Sequence, residues 1–209
     1  MTVLNKLASA LGRRDEVPNQ LLAVQIAREN DEEAVEELVE NLSNEDTGIQ
    51  SDCIKVLYEI GALKPNLIAG HHEALVKLLD GKNNRLIWGA MTALDAITSR
   101  EPKAIFRHLP KILAAADSGS VITRDHAVGI LSKLASFKDY SKSCVPLLIE
   151  QLKTCPANQF PMYAEMSLAA VNDKNMKLFR EAIGSRLERL EKESQKKRIT
   201  RVLRKLAEQ

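Results

Sequence analysis

Apolar residues recur every three or four positions through most of the chain, and short polar clusters separate the segments that carry them. A spacing of i, i+3 or i+4, and i+7 places such residues on one face of an α-helix. Aromatic residues make up only 4% of the chain, and glycine and proline are few. A β-sandwich would need more aromatic and β-branched residues and more frequent turns. The pattern therefore predicts an all-α protein.

The apolar pattern repeats with a period of about 37 residues. In a first helix, Leu38 and Leu42 correspond to Leu75 and Leu79. The pattern therefore predicts that each unit consists of a helix A, a short turn and a helix B. Stacked units bury a continuous core. The core positions of the four B helices are Cys53, Ile54, Leu57 and Ile60; Ala90, Met91, Leu94 and Ile97; Ala127, Val128, Leu131 and Leu134; and Ala164, Glu165, Leu168 and Val171.

Breaker residues set the predicted boundaries of these units. Polar clusters at 43–46, 80–84, 117–120 and 155–158 separate helix A from helix B. Pro110 and Pro146 fall early in helix A, where the first N–H groups need no intrahelical partner. We expect one domain over 1–209: two N-terminal cap helices in 1–30, four repeats in 31–173, and a basic C-terminal cap pair in 174–209.

One unit shows a recognisable pattern. It comprises the helix Leu75-Val76-Lys77-Leu78-Leu79-Asp80, then Arg85, then Ala90-Met91-Thr92-Ala93-Leu94-Asp95-Ala96-Ile97. This unit resembles a HEAT repeat of the armadillo-like α-solenoid family, and the resemblance covers about two-thirds of the chain. It implies a right-handed α-α superhelix. It also implies that the aspartate after helix A, here Asp80, and the arginine near the start of helix B, here Arg85, recur in successive repeats and form a ladder. Asp117 continues the ladder but Arg124 is displaced, so the ladder is expected to be broken. The resemblance says little about function.

Composition excludes several classes of protein. The net charge is only +2, so no bulk preference for nucleic acid or membranes is expected. The three cysteines are widely spaced, which indicates buried thiols in a reducing compartment rather than disulfides or a zinc site. No apolar stretch is long enough to span a membrane. We expect a cytoplasmic monomer.

The sequence offers no positive sign of catalysis. It contains no phosphate loop, no G-x-S-x-G, no H-E-x-x-H and no EF-hand. His71 and His72 open a helix but point about 100° apart, a poor geometry for a shared metal. His72-Glu73 is a single pair, because the next repeat has Leu109-Pro110 in its place. We therefore expect no enzyme activity, no cofactor and no metal site.

The face of helix B opposite its core stripe is the expected binding surface, because solenoids commonly bind along the face that these helices line. Aromatic and methionine side chains on this face suit contacts with a protein partner. The alternative is that Trp88 packs between neighbouring repeats. The candidate partner-binding residues are Tyr58, Trp88, Thr92, Met162 and Met166.

The C-terminal segment is a basic amphipathic helix. Between Arg186 and Lys205 there are nine bases and three acids, and Ile199, Val202, Leu203 and Leu206 form an apolar stripe. Three interpretations remain open: a closing cap, a phosphate-binding patch for nucleic acid, or a helix for a membrane surface or partner. No aromatic residue alternates with the bases, as base stacking would need. The candidate basic patch comprises Arg186, Arg189, Lys196, Lys197, Arg198, Arg201, Arg204 and Lys205.

These observations favour a non-catalytic scaffold or adaptor that binds another protein. The alternative is a nucleic-acid-binding solenoid that uses the basic C-terminal face.

Overall fold

The computed structural model describes residues 2–208, which contain thirteen α-helices, four short 3-10 turns and no β-strand. Two compact units divide the chain, one up to Arg124 and one from Asp125 onward. In chain order the helices are α1 (Val17–Glu29), α2 (Glu32–Glu40), α3 (Thr47–Leu63), α4 (Asn66–Ala69), α5 (His72–Lys77), α6 (Asn84–Ile97), α7 (Pro102–Arg107), α8 (Leu109–Ser118), α9 (Val121–Ser136), α10 (Lys138–Thr154), α11 (Phe160–Ser167), α12 (Met176–Leu187) and α13 (Glu193–Glu208).

The B helices are α3, α6, α9 and α11, and their apolar stripes form much of the core. All twelve predicted core positions of the first three are buried. In α11, Ala164 is buried but Glu165 is exposed, and Leu168 and Val171, which follow the helix, are only half-buried. The 37-residue periodicity therefore identified the core of the first three repeats correctly, whereas Glu165 interrupts the apolar stripe of the fourth.

Polar side chains at the predicted turns start the following helices. Asp46 accepts hydrogen bonds from the backbone N–H groups of Gly48 and Ile49 at the N-terminus of α3. Asn83 accepts from the N–H of Arg85 at the N-terminus of α6. Each satisfies donors that the first helical turn leaves without an intrahelical partner.

The helix-pair description misses two short helices. α4 and α7 precede the A helices α5 and α8, so the second and third repeats contain three helices each. In the fourth repeat the corresponding stretch is one continuous helix, α10. Pro146 therefore lies inside a helix instead of near the start of helix A.

One of the two cap helices predicted in 1–30 is absent from the described residues. The segment contains a 3-10 turn at Leu4–Lys6, and α1 is the one α-helix before Asn30. The backbone N–H groups of Ala8 and Ser9 donate instead to the side chains of Asn19 and Asp52, at 3.0 Å and 2.7 Å. These buried side chains are joined by a 2.7 Å hydrogen bond. Side-chain acceptors replace the helical hydrogen bonds that the apolar spacing favoured.

The packing of α3 against α6 depends on a glycine. Gly89 lies on α6 opposite Ile54 of α3, and both are buried. A Cβ at position 89 would lie 3.1 Å from Cγ2 and 3.3 Å from Cβ of Ile54, and closer still to Cγ1. Because Ile54 is branched at Cβ, it cannot swing away without moving its backbone. The absence of a side chain at Gly89 sets the separation of the two helices.

In the compact unit that begins at Asp125, the side chain of Arg186 on α12 caps the C-terminus of α10. Its guanidinium donates to the carbonyl oxygens of Leu152 at 2.7 Å and Cys155 at 2.8 Å. It also lies 4.3 Å from the ring centre of Phe160. A cation here satisfies carbonyl groups at the negative end of the helix dipole.

Gly89→Ala is expected to destabilise the fold by about 1–2 kcal/mol, because the clash with Ile54 outweighs the gain in helix propensity. Gly184→Ala is the matched control, since a Cβ at Gly184 of α12 meets nothing within 4 Å. It should stabilise by about 0.5–1 kcal/mol. Urea unfolding measures both, and equal effects of the two substitutions would contradict the close packing.

Arg186→Ala is expected to lower the free energy of unfolding by about 2 kcal/mol, because two buried carbonyl groups lose charged donors. Arg189 is an exposed arginine three residues further on. Arg189→Ala should change stability by no more than about 0.5 kcal/mol. Thermal or urea unfolding of the pair tests this, and an effect of Arg186→Ala as small as that of Arg189→Ala would contradict the capping role.

Candidate functional site

A groove lies along the first unit where the outer faces of α3 and α6 meet, and we call it the Trp88 groove. Its volume is about 270 Å³. Three of the five sequence-predicted partner-binding residues, Tyr58, Trp88 and Thr92, lie together in it. The full lining is Glu16, Ser51, Ile54, Lys55, Tyr58, Arg85, Trp88, Gly89, Thr92 and Ile122.

Trp88 and Thr92 occupy successive turns of α6. The Thr92 hydroxyl donates a 2.8 Å hydrogen bond to the carbonyl oxygen of Trp88. Trp88, Thr92 and Tyr58 are all half-buried, so each keeps part of its surface open to solvent. Trp88 therefore packs partly against its neighbours and partly lines the groove, which combines the two alternatives that the sequence left open.

A buried cation fixes the floor of the groove. The Lys55 side chain is only 7% exposed, and its Nζ lies 2.9 Å from a carboxylate oxygen of Glu16 and 2.6 Å from one of Glu59. The same nitrogen lies 4.7 Å from the ring centre of Tyr58. Burial lowers the pKa of Lys55, but hydrogen bonds to the two carboxylates outweigh it and raise the pKa above its ordinary value. Lys55 therefore remains a cation that positions Tyr58.

Glu16 joins a second cation to this network. Its other carboxylate oxygen accepts a 2.9 Å hydrogen bond from Arg85 of α6. The sequence did not point to Glu16, because it precedes α1 and is far from Lys55 and Arg85 along the chain. No local spacing marks such a contact.

The expected ladder between turn aspartates and helix-B arginines does not form at these positions. Asp80 pairs with Lys111 at 2.6 Å, and Arg85 pairs with Glu16. Arg124 donates to the carbonyl oxygens of Ala116 and Gly119. The departures seen in the sequence at Arg124 therefore extend to Asp80 and Arg85.

Met162 and Met166, the other two partner-binding candidates, lie on α11 in the second unit, where both are half-buried. The backbone carbonyl of Met166 accepts a hydrogen bond from the hydroxyl of Ser132.

Some residues of the candidate basic patch form hydrogen bonds or salt bridges within the protein, and the others are exposed to solvent. Arg186 caps α10, so it is a structural cation and not part of an open patch. Arg198 forms a bidentate salt bridge with Glu165, with N···O distances of 2.8 and 2.6 Å. This salt bridge lowers the pKa of the Glu165 carboxyl. Lys196 lies 3.0 Å from Glu193. The exposed members are Arg189, Lys197, Arg201, Arg204 and Lys205.

The three cysteines are free and buried, as the sequence predicted. Burial raises the pKa of the Cys53 thiol to about 12 and that of Cys144 to about 11. Burial also raises the pKa of Cys155. At neutral pH these groups are thiols, which are poor nucleophiles.

Comparison with other sequences gives distant relatives. No protein-family model matches the chain. The chain is 29% identical over 154 residues to the ventricular zone-expressed PH domain-containing protein homolog 1 of Rattus norvegicus, and 28% identical over 154 residues to the corresponding Mus musculus protein. The match covers 73% of this chain but 17% of each relative. The chain therefore aligns with a small part of those proteins.

Comparison with solved structures gives similar folds along the whole chain. A designed armadillo repeat protein in complex with the peptide (KR)4 has a TM-score of 0.68 and 19% identity, over 97% of this chain and 99% of that one. An engineered protein has a TM-score of 0.66 and 23% identity, over 100% and 98%. Another, among computationally designed armadillo repeat proteins for modular peptide recognition, has a TM-score of 0.62 and 17% identity, over 96% and 97%.

These neighbours confirm the predicted fold class, an all-α repeat superhelix. No helix in residues 2–208 is both long enough and apolar enough to cross a membrane. The chain has an armadillo-like helical repeat fold.

Proposed function

We propose that this chain is a non-catalytic protein-interaction scaffold, and that its Trp88 groove binds a peptide segment of a partner protein. The observation that carries the proposal is the pair of half-open aromatic rings, Tyr58 and Trp88, beside a groove on adjacent helices. Tryptophan and tyrosine are enriched among the residues that dominate binding energy at protein interfaces.

The size of the groove supports a peptide side chain as its occupant. Its volume of about 270 Å³ falls below the range of about 300–1,000 Å³ for pockets that enclose whole small molecules. It suits one or two side chains of an extended or helical segment. Two designed structural neighbours are described as peptide-bound or built for peptide recognition, which accords with this use of the fold.

The charges of the groove suggest which side chains the partner presents. Lys55 and Arg85 share one carboxylate lining the groove, that of Glu16. Glu59 also pairs with Lys55, so the guanidinium of Arg85, which is half-exposed and has further N–H donors, is the group that a partner carboxylate would bind. A lysine or arginine of the partner would be repelled there. We therefore propose an acidic segment with an apolar anchor residue. This charge differs from that of the (KR)4 peptide bound by one structural neighbour.

We also propose that the chain acts as a monomer in the cytoplasm. Three free, buried thiols suit a reducing compartment. Their raised pKa values argue against a cysteine nucleophile and so support a non-catalytic role.

Peptides selected from a random displayed library for binding to the wild-type protein test the groove directly. The selected sequences should be rich in Asp or Glu beside an apolar residue. Because Trp88 is the single tryptophan, its emission should shift on binding. Trp88→Ala should weaken binding of a labelled peptide by about 30-fold or more, the loss expected of a hot-spot residue.

Thr92→Glu should also block binding, because it places a bulkier, negatively charged side chain in the groove and so repels an acidic segment. Thr154→Glu is the matched control: Thr154 is exposed and, like Thr92, its hydroxyl donates to the carbonyl oxygen four residues earlier. Selected peptides that bind Thr92→Glu and Thr154→Glu equally well would contradict the proposed site.

The exposed bases of α13 support a second candidate function, contact with nucleic-acid phosphates. Lys197, Arg201 and Arg204 lie along the solvent face of α13, away from the buried Ile199 and Val202. Arg204 lies 3.6 Å from Glu208, a weak surface pair. Such a face attracts phosphate groups without reading base sequence.

A double substitution of Lys197 and Arg201 to Gln should weaken binding of a labelled 20-nucleotide RNA by several-fold, and wild-type binding should fall steeply with salt. Lys138 and Lys142, exposed at the same spacing on α10, give the control double substitution to Gln. RNA binding that is absent, independent of salt, or equally sensitive to both double substitutions would exclude the α13 face.

A further inference from the structure

Three potential metal ligands meet on one side of the first unit. His72 and Glu73 are the first two residues of α5, and His108 lies at the junction of α7 and α8, in the following repeat. The carboxylate oxygen Oε1 of Glu73 lies 3.0 Å from Nε2 of His108 and 3.7 Å from Nε2 of His72. One donor atom from each residue lies within 4.8 Å of the others. We call these residues the His72–Glu73–His108 cluster.

The separations of the two histidine nitrogens from the Glu73 oxygen are close to those of a tetrahedral metal site, and the two nitrogens lie within 4.8 Å of each other. Zinc bonds to histidine nitrogen and carboxylate oxygen at about 2.0–2.1 Å, so ligand atoms around it are about 3.3–3.4 Å apart. The distances of 3.0 and 3.7 Å from Glu73 lie on either side of this value. All three side chains are partly exposed, so each has room to rotate towards a shared ion.

The ring of His72 is held in the orientation that a metal ligand needs. Its Nδ1 lies 3.1 Å from the backbone carbonyl oxygen of Ala69. Because a carbonyl only accepts, Nδ1 carries a proton, which leaves Nε2, the nitrogen on the side of Glu73, as the ring atom that can bind a metal. A backbone carbonyl on the second ring nitrogen is the usual support for a zinc-bound histidine.

One neighbouring cation competes for the carboxylate. Arg107 donates a 2.7 Å hydrogen bond to the same oxygen of Glu73. His108 Nε2 lies 3.0 Å from this oxygen as well, so a metal ion that binds here takes the place of the proton between them. Both side chains of the Arg107–Glu73 pair are largely exposed. Arg107 can therefore move to the second oxygen of Glu73 or into solvent when a metal binds.

We propose that the His72–Glu73–His108 cluster binds a single Zn²⁺ ion, which links two successive repeats of the first unit. Two imidazoles and one carboxylate supply three ligands of the kind that zinc prefers, and water or a partner side chain takes the fourth position. The ion ties α5 to the α7–α8 junction across a repeat boundary. This site is independent of the Trp88 groove, because the two share no residue.

In the sequence, His72-Glu73 is set aside as a metal site because it is a single pair when it is compared only with the equivalent positions of the next repeat. His71 does not belong to the cluster, whereas His108 joins it from 35 residues beyond Glu73. Stacking of one repeat on the next is what brings His108 to His72 and Glu73.

Calorimetric titration of the chelator-treated full chain with zinc chloride tests the proposal. One equivalent of Zn²⁺ is expected to bind. His72→Gln, Glu73→Gln and His108→Gln should each weaken binding at least about tenfold. His71→Gln is the matched control and should leave the affinity within about twofold. Circular dichroism before titration establishes that each variant is folded.

Two further readouts separate a built site from non-specific histidine binding. Arg107→Gln should tighten Zn²⁺ binding several-fold, because it removes a competing cation from Glu73. Co²⁺ in place of Zn²⁺ should give the visible absorption of a four-coordinate ion in the wild type but not in His108→Gln. Failure of the folded wild type to bind Zn²⁺, or binding that His71→Gln and His108→Gln weaken alike, would overturn the proposal.

Discussion

The close approach of α3 and α6 at Ile54 and Gly89 is the contact on which the first unit depends. A glycine at this point lets the two helices pack more closely than a side chain would allow. The same approach brings Tyr58 of α3 and Trp88 of α6 to the edges of one groove. Core packing and the candidate binding surface are therefore two consequences of one short contact. A change that separates the helices should widen the groove as well as weaken the core.

The polar network around Lys55 and Asp52 shows how the repeat accommodates groups that a simple amphipathic helix would keep in solvent. Both residues are buried on α3, and both find partners in the segment that precedes α2. The Asp52 carboxylate accepts hydrogen bonds from the backbone N–H of Ser9 and the side chain of Asn19, and Lys55 forms a salt bridge with Glu16. Buried polar groups are costly unless their hydrogen bonds are made. Side-chain hydrogen bonds thus hold the N-terminal segment and α1 against α3.

Much of the repeat fold was predictable because the core stripe of each B helix has a helical period and a 37-residue repeat. Tyr58, Trp88 and Thr92 were found for the same reason, since their positions follow from the geometry of α3 and α6. The short helices α4 and α7 were missed because four and six residues carry too little periodicity. Arg186 was misassigned to a surface patch because sequence does not show that a guanidinium will lie on helix C-terminal carbonyls. Glu16 and His108 act through partners in other repeats, which no local pattern reveals.

A double-mutant cycle between Ile54→Ala and Gly89→Ala tests the central contact most directly. If Ile54 is the group that a Cβ at position 89 would strike, the cost of Gly89→Ala should largely vanish once Ile54 is truncated. The coupling free energy from urea unfolding should then be at least about 1 kcal/mol. Effects that add to within about 0.5 kcal/mol would show that the two positions do not restrict each other, and the account of α3 against α6 would fail.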